Sequence, residues 1–253
     1  MTTKLLTIII GIAGTFSLYS QTSKQTPYIL DKKFFRTKGA EYVPTGSYKD
    51  ASGKTISVQA FFMTNEITNK EYKEFADYVA SHPDSSLYYF DRKGGSTFIR
   101  QVPFSLIRPA LIDSLAMSKK YPAGTDLYNK YKNYFSDKKY DDFPVVGVSY
   151  DATKYYCIWK TRLENETLKK NGMGLMNDFR VPVKEELEYA QSFSPNASKK
   201  SYTEVDESKS GKPDKLGLYN LFGNVDELNS SSGATQTPSG QVGFRMVSTF
   251  LGK

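Results

Sequence analysis

The chain holds one cysteine and one histidine in 253 residues. A single cysteine excludes an internal disulfide and any site that draws two thiolates from one chain. Cys157 can pair between chains or react, or it can pack as a small buried hydrophobe. Its neighbours Tyr155, Tyr156 and Trp159 form an apolar helical cluster and favour the buried reading. The one histidine, His82, stands in a His-Pro turn. It excludes a multi-histidine metal site, and no nucleophile-elbow pattern accompanies it for a Ser/His/Asp relay. Long apolar runs are also missing. Leu5–Ala13 is too short for a membrane span of about 20 residues, and no later run is longer. No transmembrane helix is therefore expected once the N-terminus is processed.

What is present is aromatic. Hydrophobic residues make up 39% of the chain, but Tyr (19) and Phe (16) supply bulk for a core. The formal charge of +7 is spread over segments such as KEYKEF, KKYDDF and LKKNG, where acids interleave with lysines. That pattern reads as a solvated surface, and no nucleic-acid-binding motif accompanies it. At the start, Lys4 precedes LLTIIIGIA and then TFSLYSQ. A basic start, a short apolar run and a small-residue exit predict a secretory signal peptide over residues 1–21. The expected location is the periplasm, the outer-membrane periphery or the cell surface. No cysteine near that exit offers an acylation site.

Residues 22–40 read as a polar lead-in. Tyr42–Tyr48 reads as a strand into a turn, and Ile56–Met63 alternates as a second strand. Thr68 and Glu71 have capping-box spacing ahead of an apolar face of Tyr72, Phe75, Ala76 and Val79, with Pro83 as the stop. Residues 84–142 are rich in Tyr, Lys, Asp and Ser with weak periodicity, and suggest exposed tyrosine-rich loops. Ser149 caps a second helix, followed by a charged connection from Thr161 to Asp178. Pro182 suits the first turn of a third helix. Residues 194–215 and 229–241 read as polar loops. Short strands, a few helices and long loops predict an α+β domain.

Four phrases then fall in a fixed order: FPVVGVSYDATKYYCIWKTRL (143–163), FRVPVKEELEYA (179–190), LGLYNLFGNVDEL (216–228) and GFRMV (243–247). Together with FFMTNEITNKEYKEF (61–75) they resemble the formylglycine-generating-enzyme-like, or sulfatase-modifying-factor, family. The resemblance implies that family's loop-rich fold, related to C-type lectins, as one domain over residues 41–253. Residues 84–142 stand as an insertion and 229–242 as a shortened C-terminal segment. The run YNKYKNYFSDKKYDDFPVVGVSY (128–150) is similar to the gliding-motility and type IX secretion branch of the family.

The family's oxidation uses a copper-bound cysteine pair in the C-terminal interval, which here spans only residues 229–242. No copper is expected, because soft thiolates select Cu(I) and Cys157 lies in the helix phrase instead. The family's calcium loop corresponds to LYNLFGNVDEL. There Asn220, Asn224 and Glu227 supply side-chain oxygens, and Gly223 and Val225 supply carbonyls, for a hard cation. Asp226 and Leu228 replace two tryptophans of that loop. A metal-free turn is the alternative reading. The acidic pairs Asp141-Asp142 and Glu185-Glu186 read as solvated faces, and Arg245 as a structural ion-pair partner. The functional expectation is an exported pseudoenzyme that binds envelope protein partners. A lectin-like module for a glycan, and an enzyme of other chemistry, are the alternatives.

Overall fold

In a computed structural model, the described residues are 35–36, 38–93, 95–194, 204–231 and 242–250. The signal peptide, most of the lead-in and residues 232–241 of the shortened segment lie outside them. The architecture is α+β, with helices packed around small sheets and long irregular connections.

Strands β1 (Ala40–Val43), β4 (Phe61–Thr64), β10 (Val247–Thr249) and β7 (Phe179–Arg180) form an antiparallel sheet in the order β1-β4-β10-β7. The alternation of a strand sends successive side chains to opposite faces. Phe62 therefore joins one core while Phe61 and Met63 join another. The first core is covered by helix α1 (Asn69–Ser81) and helix α5 (Tyr150–Lys170). The second lies under the hairpin of β2 (Gly46–Lys49) and β3 (Thr55–Val58) and under helix α6 (Lys184–Ser192). The expected strand Ile56–Met63 is thus two strands. β3 pairs with β2, and β4 pairs with β1 and β10, so the chain changes sheets at Gln59-Ala60.

The Thr68 capping box is formed: Thr68 Oγ1 accepts from Glu71 N, and Glu71 Oε2 accepts from Thr68 N at 2.9 Å. Ser149 caps α5 as read from the sequence. That helix runs past Thr161, where a connection was expected. Buried Leu168 continues its apolar face, and buried Glu164 pairs with Lys38 and Lys160, which offsets its desolvation. The Thr161 hydroxyl donates to Cys157 O and accepts from Phe179 N, which ties α5 to β7. Pro182 stands just before the N-cap, Val183, rather than inside α6, and Glu186 Oε2 accepts from Val183 N at 3.0 Å.

The insertion is more ordered than its composition suggested. It opens with an antiparallel hairpin, β5 (Ser86–Lys93) and β6 (Ser96–Pro103). Three short helices follow: α2 (Phe104–Ile107), α3 (Ala116–Lys119) and α4 (Asp126–Tyr131). Tyr88 is exposed, but three of the insertion's tyrosines are not part of a contact surface. Tyr131, Tyr134 and Tyr140 are buried with Met117, Val146, Val205 and Val225 in a third core. Their hydroxyls are satisfied inside it: Tyr134 donates to Pro144 O at 2.7 Å and Tyr140 to Lys130 O at 2.8 Å. Tyrosine can fill a core wherever its hydroxyl finds an acceptor.

Candidate functional site

The segment from Leu216 to Leu228 is held from below. Leu218, Leu221, Val225 and Leu228 are buried. Asp214 Oδ1 accepts from Leu216 N and Leu218 N, and Asn65 Oδ1 accepts from Tyr219 N at 2.8 Å. Asn220 (φ 53°), Gly223 (φ 111°) and Asn224 (φ 64°) all take positive φ, which curls the backbone tightly. Asparagine and glycine are the residues that accept such angles readily.

Beneath this curl sits a buried polar cluster. Arg245 has no solvent exposure. Its Nε donates to Glu227 Oε1 at 2.5 Å, and its Nη2 donates to Tyr219 O at 2.5 Å. Glu66, at the end of the segment leading into α1, is also buried. Its Oε2 accepts from Asn224 Nδ2 at 2.9 Å and from Asn220 Nδ2 at 3.4 Å. Among the described residues, Glu66 Oε1 and Glu227 Oε2 are buried with no hydrogen-bond partner, as are Asn69 Oδ1 and Ser208 Oγ. Burial pushes the Glu66 carboxyl up to about 8, against the opposing pull of Arg245. Burial likewise raises Glu227, again opposed by Arg245. At neutral pH that shift favours the protonated form of Glu66.

The five expected calcium ligands share this curl by sequence, but their side chains are in different states. Glu227 offers an unpartnered, buried Oε2, and Asn220 Oδ1 accepts no hydrogen bond among the described residues. Both are oxygens of the hard type that calcium takes. Gly223 and Val225 lie between them on the same curl. Asn224 is placed otherwise. Its Oδ1 accepts from Asp206 N at 2.8 Å and its Nδ2 donates to Asp206 O at 3.1 Å, so it clasps the neighbouring loop instead of presenting an oxygen. Sequence reading missed Glu66 and Asn65. Their signal was two polar residues directly after the wholly buried strand β4.

The other residues weighed for chemistry are spread apart. Cys157 is buried in α5, and burial pushes its thiol far above the ordinary range. His82 is exposed, stacks on Tyr78 at 4.3 Å and has Nδ1 2.8 Å from Tyr78 O. Asp141 pairs with Lys73, and Glu186 receives both terminal nitrogens of Arg180. Those two acids are partners in structural pairs, not free surface groups.

A family profile described as "Sulfatase-modifying factor enzyme 1-like domain" matches residues 19–247. The chain belongs to this family. Every phrase that carried the resemblance falls inside the match. No curated protein matches the chain. A solved structure titled "Crystal Structure of CarF" is similar over 83% of this chain and 97% of that chain. It has 14% identity and a TM-score of 0.43, and it adds nothing to the assignment.

Proposed function

We propose that this family member is an exported binding component that does not carry out the family's copper-dependent oxidation. We assign it to the envelope side of a gliding-motility or type IX secretion machinery. The observation that carries the first part is Cys157. It is the one thiol in the sequence, it is buried in the first core with Tyr156 and Trp159, and its environment disfavours the thiolate that copper binding needs. The motility assignment rests on the sequence likeness of residues 128–150 alone. Binding is the role left to a scaffold whose insertion presents new surface. Phe90 and Ile99, direct partners across the β5–β6 hairpin, are 74% and 71% exposed.

The decisive experiment is turnover. The purified chain, loaded with copper, should leave a cysteine-containing sulfatase peptide unoxidised, and formation of the aldehyde product would overturn the reading. Calcium belongs to the same proposal, with Asn220 and Glu227 as side-chain ligands. Addition of Ca²⁺ should raise the melting temperature of the wild type and leave Glu227→Gln unchanged. A glycan-binding reading is favoured by a 390 Å³ cavity where Tyr78, Tyr88 and Trp159 stand beside Asp84, Gln101 and Glu166. Aromatic faces next to carboxylate and amide groups suit sugar rings. A glycan array that stays blank would remove it.

A further inference from the structure

We propose that the cleft between the β5–β6 hairpin and helix α5 binds a single-chain anionic amphiphile. Its tail would lie against Tyr89, Ile99 and Ile158, and its headgroup would sit on Arg162. The cleft measures about 540 Å³, within the range of roughly 300–1,000 Å³ typical of small-molecule sites. The hairpin contributes one apolar wall, and α5 with β7 contributes the other. It lies apart from the Asn220–Glu227 loop, none of whose five expected ligands lines it.

The chemistry of the ligand follows from α5. Lys154, Ile158 and Arg162 repeat at four-residue spacing and all line the cleft. They form one stripe along the helix, about 12 Å from first to last. An apolar side chain thus sits between two cations. The Lys154 ammonium lies 4.5 Å from the Tyr89 ring centroid and is occupied by it. Arg162 is exposed and makes no ion pair among the described residues. Arg180, also in the wall, is neutralised by Glu186. Asp178 is the one carboxylate of the lining, so it is outnumbered by the two cations of α5. A mostly apolar groove with net positive charge at its rim selects a hydrocarbon with an anionic end and disfavours a cationic one.

The hairpin supplies a second argument. Phe90 and Ile99 face each other across the ladder, yet both remain largely exposed while lining the cleft. Full burial of such a side chain is worth about 1.5–3 kcal/mol. A bound hydrocarbon would recover part of that burial. The proposal extends the binding role to a small ligand. Its test is independent of the oxidation assay, so either can fail without the other.

The test is isothermal titration of the full chain with dodecanoate below its micelle concentration. Hexanoate and dodecyltrimethylammonium serve as comparisons. Dodecanoate should bind at one site. Decanoate should be about tenfold weaker, as expected for the loss of two buried methylenes. Hexanoate and the cationic amphiphile should show no saturable binding. Arg162→Glu and Ile99→Glu should each weaken dodecanoate at least tenfold. Both positions are exposed, so each variant should keep the wild-type circular dichroism spectrum and melting temperature. Absence of saturable dodecanoate binding would overturn the proposal. So would equal binding of the cationic amphiphile, or wild-type affinity in both variants.

Discussion

Replacing Glu66 with glutamine isolates one buried titration and should change how stability depends on pH. In the folded chain Glu66 is held near pH 8 by burial, whereas an unfolded glutamate titrates near 4.3. Between these values the folded state keeps a proton that the unfolded state releases. The contribution to stability is therefore fully present below about pH 4.3 and is lost as pH rises through about 8. Each pH unit inside the window is worth about 1.4 kcal/mol, so wild type should lose on the order of 3 kcal/mol relative to Glu66→Gln between pH 5 and 8. For a chain of this size that corresponds to about 6–12 °C in melting temperature. Glutamine can still accept from Asn224 and Asn220, as Glu66 Oε2 does. Its new amide donor meets no acceptor at the place of the unpartnered Oε1. That adds a cost of roughly 1–3 kcal/mol, which is the same at both pH values and cancels in the comparison. The assay is urea unfolding followed by circular dichroism at pH 5 and pH 8, with chelator present. Parallel stability profiles for the two proteins would refute the argument that Glu66 folds in its protonated form.

Arg245→Met should cost about 3–5 kcal/mol, because Glu227 would stay buried without its charge partner; urea unfolding at pH 7 measures it. Gly147→Ala should cost at least about 2 kcal/mol by the same assay. The residue sits at φ 78°, and an added Cβ would lie 2.5 Å from Asp113 O and 2.6 Å from the Ala116 Cβ. Cys157 should react with a thiol reagent far more slowly than an exposed thiol, although it lines the cleft beside the hairpin, because it is buried and its thiol is held protonated. Stoichiometric labelling of the folded chain within seconds would contradict that packing.

Much of the scaffold could be read from local chemistry. Thr68 and Glu71 announced a capping box, and Ser149 announced the start of α5, because caps are set by residues three apart. The phrases around Val145, Arg180, Asn224 and Arg245 marked the family, because each combines turn residues with fixed apolar positions. The insertion was less legible. β5 and β6 carry no simple alternation of polar and apolar residues, since much of the hairpin stands in solvent. Tyr131, Tyr134 and Tyr140 looked like surface, because only folding brings Glu204, Pro144 O and Lys130 O to their hydroxyls.

The sequence by itself determined the family, the α+β class and the limits on chemistry, since one thiol and one imidazole cannot be multiplied by folding. Tertiary structure decided what the remaining polar groups do. Glu66 and Arg245 are 179 positions apart, and only packing places both beneath the Asn220–Glu227 curl. There the low dielectric shifts the Glu66 proton equilibrium and couples Arg245 to Glu227. Only packing lays the hairpin beside α5, where a helical stripe of Lys154, Ile158 and Arg162 becomes the wall of a cleft. Local spacing is written in the chain, whereas burial and long-range charge pairing exist only once distant segments share one interior.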